Sequence, residues 1–322
     1  MFIIKAINIV LMLRIKLLLL SIVSFLTLNA QQVTNIQVIQ ENDKVVITYD
    51  ISSNNAGQTF DIKVECSTDG GKTFSIIPKS LTGDLKGIKA EVGKRIVWDV
   101  LSERETLSGD HFVFQLVATD PFSGNSGTFT DARDGEVYKW VKIGNQIWMA
   151  EDLRTTKYND GTSIPNVTDD KAWGKLKTPS YDLYNKIVAN KNTYAALYNW
   201  YAANTLKLAP TGWHVPTDAE WTTLIDFIGG KDIAGGKLKE TGTSHWKSPN
   251  AEATNETGFT ALPGVFRTKE GSFYDVGIGR WWSSTDFDTD NAWGWCIFYN
   301  DDYVDRDYDC KSCGFSVRCV KN

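Results

Sequence analysis

The stretch GWHVPTDAEWTTL, Gly212–Leu224, holds one of the three histidines in 322 residues, followed closely by an aspartate, a glutamate and several hydroxyls. Thr217-Asp218-Ala219-Glu220 has the form of a capping box. In such a box the first hydroxyl accepts from the fourth amide, and the fourth carboxylate returns to the first amide. The spacing predicts a helix from Asp218, with Trp221, Leu224, Ile225 and Ile228 on its buried face and Gly229-Gly230 ending it. Asp218 and Glu220 then have a structural task at the positive helix end. His214 lies just outside, with no HxxxH or HExxH spacing and no cysteine nucleophile near it in sequence, and is read as a packed or hydrogen-bonded structural histidine.

Outward from this helix the chain changes character. Of the twelve tryptophans, Trp98 alone precedes Asp120–Thr130, DPFSGNSGTFT, which is rich in Pro, Gly, Ser and Asn and reads as a linker. A length of 322 residues suits two domains, and 42% hydrophobic with 12% aromatic content is ample for packed cores. The first domain is placed at 31–120, the linker at 121–130 and the second domain at 131–322. In the first, Val33–Gln40, Lys44–Tyr49, Phe60–Cys66, Phe74–Pro78, Arg95–Val100 and Phe112–Ala118 show strand-like runs, and turns fall at Asn54–Gly57, Asp69–Gly71 and Thr82–Asp84. About seven short strands in roughly 90 residues predict a β-sandwich of the immunoglobulin or fibronectin type III kind, with Trp98 between the sheets. STDGGKTF, Ser67–Phe74, reads as a hairpin whose Asp-Gly supplies positive φ; a calcium loop at Asp69 is the sharper alternative. In the second domain the pattern predicts a helix at Ala195–Asn204, the capped helix, and strands at Arg280–Ser284, Ala292–Tyr299, Tyr303–Tyr308 and Gly314–Val320.

Residues 1–30 read as a signal peptide. Leu17–Leu28, LLLLSIVSFLTL, follows Lys5, Arg14 and Lys16 and precedes the small-residue context Asn29-Ala30-Gln31; Met12 is an alternative start to Met1. The apolar run is shorter than the ~20 residues a bilayer-spanning helix needs. The expectation is therefore an exported protein, periplasmic, outer-surface or extracellular, with no transmembrane span after cleavage. The formal charge of -5 has no basic stripe, which argues against nucleic acid as a partner.

Five motifs carry a resemblance: GEVYKWVKIGNQIWMAEDLRTTKYNDG (Gly135–Gly161), YAALYNWYAAN (Tyr194–Asn204), GWHVPTDAEWTTL, WWSST (Trp281–Thr285) and GFSVRCVKN (Gly314–Asn322). In that order they resemble the Fibrobacter succinogenes major paralogous domain, over nearly all of the second domain. That family is widespread in exported bacterial proteins, particularly of Bacteroidota and Fibrobacterota, and no biochemical activity is attached to it. HVPTDAEW is also similar to a helix start in the formylglycine-generating enzyme superfamily, and the terminal strand to a GFxxRC-like strand of the same group. This outer resemblance implies an α+β domain of C-type lectin-like fold. It also implies an alternative, a copper oxidase using two cysteines, but Cys310-Lys-Ser-Cys313 is tighter than that family's pair and lies directly before GFSVRC.

Cys296, Cys310, Cys313 and Cys319 are disulfide candidates in an exported chain, with three complete pairings open; Cys66 is left over and expected to be buried and reduced. The most suggestive surface is Arg280–Asp309, RWWSSTDFDTDNAWGWCIFYNDDYVDRDYD. Flat aromatic faces stack on sugar rings, so Trp281, Trp282, Trp293 and Trp295, with Asp290 and Asn291, are the candidate glycan-binding residues. Asp286, Asp288, Asp290, Asp301 and Asp302 are the candidate calcium ligands, calcium being the cofactor this surface suggests. The plainer alternative is strands with one buried and one solvated face, Asp301-Asp302 turning a hairpin. No paired-carboxylate spacing, nucleophile elbow or phosphate loop appears. The expected function is a non-enzymatic binding or surface-display protein recognising polysaccharide or an envelope or protein partner, the alternatives being the copper oxidase and a purely structural envelope protein.

Overall fold

The computed structural model describes residues 32–54, 58–103, 107, 109, 111–274 and 277–322. The expected signal peptide and the choice between Met1 and Met12 lie outside them. The chain divides into two compact units after Ser123. It is β-rich, and among the described residues no helix is long and apolar enough to cross a membrane.

The first unit contains β1 (Gln32–Glu41), β2 (Lys44–Ser52), β3 (Thr59–Ser67), β4 (Leu81–Gly83), β5 (Ile88–Lys89), β6 (Glu91–Asp99) and β7 (Val113–Thr119). They form one antiparallel sheet in the order β1-β2-β6-β4 and another in the order β5-β3-β7. Both sheets feed one core. Val45, Ile47, Tyr49 and Ile51 of β2, Ile96 and Trp98 of β6, and Phe60, Ile62, Val64 and Cys66 of β3 pack in it. The period-2 spacing of these residues puts them on one face of each strand. Trp98 meets Phe114 edge to face at 6.2 Å, and its indole N–H donates to Glu103. Phe74–Pro78 is a correction: it forms only an isolated bridge, Cys66 with Ile76, and Pro78 has no N–H to continue a ladder. The Asp69 carboxylate turns its loop, accepting from Lys72 and Thr73 amides at 3.0 Å and from the Thr73 hydroxyl at 2.7 Å. It is thereby held well below the ordinary carboxylate range, first by the Ser67 hydroxyl, and its lone pairs are spent on the turn rather than offered to calcium.

The second unit begins with a meander, β8 (Ser126–Thr130), β9 (Val137–Ile143) and β10 (Gln146–Met149). The second half of the expected linker is thus a strand, because Phe129 stacks on Trp213 at 4.5 Å and Gly127 leaves room for Trp140. Single helical turns follow at Asp170–Trp173 (α1), Lys191–Tyr194 (α2) and Trp200–Ala203 (α3), then the longer helices α4 (Asp218–Phe227) and α5 (Lys231–Leu238). Short strands β11 (Tyr181–Asp182), β12 (Leu197–Asn199), β13 (Trp213–His214), β14 (Phe266–Arg267) and β15 (Phe273–Tyr274) lie among them. The end of the chain forms β16 (Ile278–Asp286), β17 (Asn291–Phe298), β18 (Val304–Cys310), β19 (Gly314–Phe315) and β20 (Val320–Lys321). Among the described residues the sheet orders are β13-β20-β10-β9-β8, β11-β12-β19-β14-β15 and β16-β17-β18.

Two predicted elements are shorter than expected. The helix at Ala195–Asn204 is one turn, because Leu197–Asn199 pairs as β12 and the Asn199 side-chain oxygen caps the turn by accepting from the Ala202 amide at 3.0 Å. The terminal strand is split between two sheets, with Ser316–Cys319 buried between them. The capping box is present as predicted, and Trp221, Leu224 and Ile225 of α4 join Trp148, Phe259, Trp281 and Trp295 in the core.

Candidate functional site

Cross-strand register decides the faces of the β16–β18 sheet. Trp281, Trp295 and Arg306 are aligned on one face, with Trp293 beside Tyr308; Arg280, Cys296 and Asp305 share the other, as do Trp282, Gly294 and Asp307. Residues that alternate in sequence are thereby sorted to opposite sides.

Three of the four candidate tryptophans are core residues. Trp281, Trp282 and Trp295 are at most 1% exposed. Trp295 stacks on Trp221 at 6.1 Å and donates to Asp218 at 3.2 Å; Trp281 donates to Asp152 at 2.8 Å; Trp282 stacks on Phe315 at 4.2 Å and donates to the Tyr198 carbonyl at 2.8 Å. Their polar edges are satisfied inside the protein, so they are not available to a ligand.

Trp293 is different. It is partly exposed, and it meets Phe287 edge to face at 4.9 Å and Tyr308 at 6.0 Å. Phe287 and Tyr308 stack on each other at 4.2 Å with an interplanar angle of 10°, and remain 44% and 47% exposed. The Arg306 guanidinium lies 3.4 Å from the Trp293 ring centre. Asp218 fixes it from the start of α4, with Nε donating at 2.8 Å and Nη2 at 2.7 Å. This two-pronged bond holds a planar cation on an aromatic face. The result is a solvent-facing aromatic platform at the β16–β17 end of the sheet. Phe287 and Arg306 were missed in the sequence; the available signal was an aromatic between two aspartates in a turn, where a buried position is rare.

The five candidate calcium ligands are not one site. Asp286 ends β16 and Asp288 and Asp290 lie in the β16–β17 turn that follows, whereas Asp301 and Asp302 lie in the β17–β18 turn. The eight residues of β17 separate these turns by roughly 25 Å. The Asp288 carboxylate accepts from the amides of Asp290 and Asn291, each at 2.8 Å, and from the Asn291 side chain at 3.0 Å. Those bonds hold Asp288 below its ordinary value, the Asn291 side chain contributing most. Asp301 accepts from the Tyr303 amide at 3.0 Å, as a hairpin aspartate does. Among the described residues no group of three or more His, Cys, Asp or Glu is placed to hold a metal ion.

The cysteines also sort themselves. Cys310 and Cys313 form a disulfide. Cys296 and Cys319 are buried thiols pushed up to about 12 by burial, so the complete pairing of four does not occur. As a disulfide, Cys310 and Cys313 offer no thiolate pair for copper. His214 bridges the chain end and the capping box, with Nδ1 2.6 Å from Asn322 Oδ1 and Nε2 2.7 Å from Glu220 Oε1. Both partners are acceptors, so the doubly protonated ring suits both, and the bond to Glu220 holds His214 above its ordinary 6.5. An open groove of about 1150 Å³ beside β8 and β9 is lined by hydroxyls, amides and Phe227, and its Lys237 is paired with Glu256 at 3.0 Å.

Residues 141–321 match the model of the Fibrobacter succinogenes major domain, more than half of the chain. The chain belongs to that family. No curated protein and no solved structure matches it. The Fibrobacter succinogenes major domain of this chain contains α4, the whole β16–β18 sheet, the Cys310–Cys313 disulfide and the aromatic platform. The platform therefore lies within the matched segment of this chain rather than in the preceding unit.

Proposed function

We propose that this is an exported, non-enzymatic binding protein that recognises polysaccharide through Phe287, Trp293 and Tyr308. The observation that carries the reading is the pair of stacked, half-exposed rings beside an indole held by a clamped guanidinium. A rigid aromatic surface suits the C–H faces of sugar rings, and the exposed Asp290 carboxylate of the adjoining turn suits their hydroxyls. On this reading the first unit is a β-sandwich spacer of the immunoglobulin or fibronectin type III kind, supported by its two antiparallel sheets over one core. The second is an α+β head of C-type lectin-like fold, supported by two modest helices against small antiparallel sheets. Export is supported by the N-terminal apolar run and by the disulfide.

The test is a polysaccharide array probed with the full chain and with Phe287→Ala and Tyr308→Ala variants of unchanged circular dichroism. Binding lost in both variants supports the platform. Binding that persists in both moves the site elsewhere, and silence of the wild-type chain transfers the function to a protein partner or a structural envelope role.

A further inference from the structure

We propose that Lys311 is a positioning residue for the platform: its ammonium is the resident cation of the β16–β17 turn, and ligand recognition there needs no divalent metal. This rests on the reading of the platform as the ligand surface. Three successive carbonyls of the turn converge on this one residue. Asp288 O and Thr289 O accept from Lys311 Nζ at 2.6 and 3.2 Å, and Asp290 O accepts from the Lys311 amide at 2.8 Å. Lys311 is 6% exposed, and its ammonium lies 4.5 Å from the Trp200 ring centre. Converging carbonyl dipoles repel unless a cation sits among them, which is how oxygen-lined loops hold calcium. Here the cation is tethered to the chain.

The tether is itself fixed. Trp200 N donates to Lys311 O at 3.0 Å, and the Cys310–Cys313 disulfide brackets the residue. The Asp288 carboxylate turns to the Asp290 and Asn291 amides instead, so the charge at the carbonyls comes from lysine alone. The opposite end of β17 repeats the device independently. Lys239, fully buried, donates from Nζ to Ala251 O at 2.7 Å, Phe298 O at 3.0 Å and Asp301 O at 2.7 Å, one carbonyl for each proton. Both turns that carry the suggestive aspartates are thus organised by ammonium groups. Phe287 begins the first of these turns, so its stacking on Tyr308 depends on a turn held by Lys311.

Hydrogen exchange of the Phe287 and Asp288 amides, which both donate to Asn291 O, reads the state of this turn. In the full chain these rates should be the same in calcium and in chelator. Lys311→Met keeps the aliphatic stem over Trp200 and removes the charge, and should speed turn exchange about tenfold while α4 amides stay protected. In Lys311→Ala, ethylammonium chloride should restore slow exchange and sodium chloride at equal ionic strength should not. Wild-type rates in Lys311→Met would reduce the residue to packing and overturn the proposal, as would slowing of wild-type exchange by calcium. Platform binding is scored separately on the same proteins. A faster turn with no glycan bound by the wild type leaves Lys311 as the cation and removes the platform reading; glycan binding with an unchanged turn does the reverse.

Discussion

At the residue scale, exposure separates aromatic side chains of one composition into two roles. Trp281 is fully buried, with Trp221 at 6.3 Å and Phe259 at 6.5 Å, so Trp281→Ala is expected to cost roughly 3–5 kcal/mol in chemical denaturation. Phe287→Ala and Tyr308→Ala remove half-exposed rings and should leave the midpoint nearly unchanged while abolishing ligand retention on an affinity gel. Equal loss of stability in all three variants would contradict this division. The capping box supports a residue-scale effect of its own: Thr217→Ala should cost about 1 kcal/mol, measured the same way.

His214 and Glu220 make the same scale sensitive to pH. The folded state holds His214 above 6.5, so its contribution is complete below about that pH and is lost as pH rises through the raised value. Burial alone would push Glu220 up, but its bonds to His214 and Thr217 outweigh that and hold it below 4.5. Its contribution is complete above about 4.5 and is lost as pH falls through the lowered value. The pair therefore stabilises most between 4.5 and 6.5. Denaturation of the wild type and of His214→Gln should differ more at pH 5.5 than at pH 8.5, and a difference independent of pH would remove the ion pair from the account.

At the element scale, the β16–β18 sheet is an assembly of two faces and two turns. Its edge strand β18 presents Asp305, Asp307 and Asp309 on one side, a charge pattern that discourages further strand pairing. Burial pushes Asp309 up and Asp307 adds to it, while its ion pair with Arg280 opposes both. The Lys239 ammonium is held below its ordinary value by burial, yet its three carbonyls would be left without a donor if it were removed. Lys239→Met should therefore destabilise by at least about 2 kcal/mol in urea, against almost nothing for the exposed Lys171→Met. The alternation of aromatic and acidic residues was legible as strand rhythm. Which alternate face met α4 was not, because a period of two marks both faces equally.

At the scale of the whole molecule, each unit has its own core, one built around Trp98 and the other around Trp148, Trp221 and Trp281. Residues 124–322 produced alone should give a cooperative thermal transition matching one of two in the full chain. A non-cooperative melt of that piece would show that the second unit does not fold independently.

Local chemistry is what the amino-acid order determined by itself. Thr217 and Glu220 cap a helix through bonds three residues apart, Asp69 and Asp301 turn loops through bonds to amides two to four residues away, and the strand rhythm of β2, β3 and β6 needs only nearest neighbours on a face. The five motifs, likewise, sufficed for the family. The tertiary structure decided everything that depends on residues far apart in the chain. It sent Trp295 to Trp221 and left Trp293 to Arg306, divided the aspartates between the two ends of β17, joined Cys310 to Cys313 while burying Cys296 and Cys319, and drew Gly127 and Phe129 out of a linker into a sheet. The physical reason is that burial and carbonyl convergence are set by what packs against a residue, and that partner lies tens of residues away, where no local pattern records it.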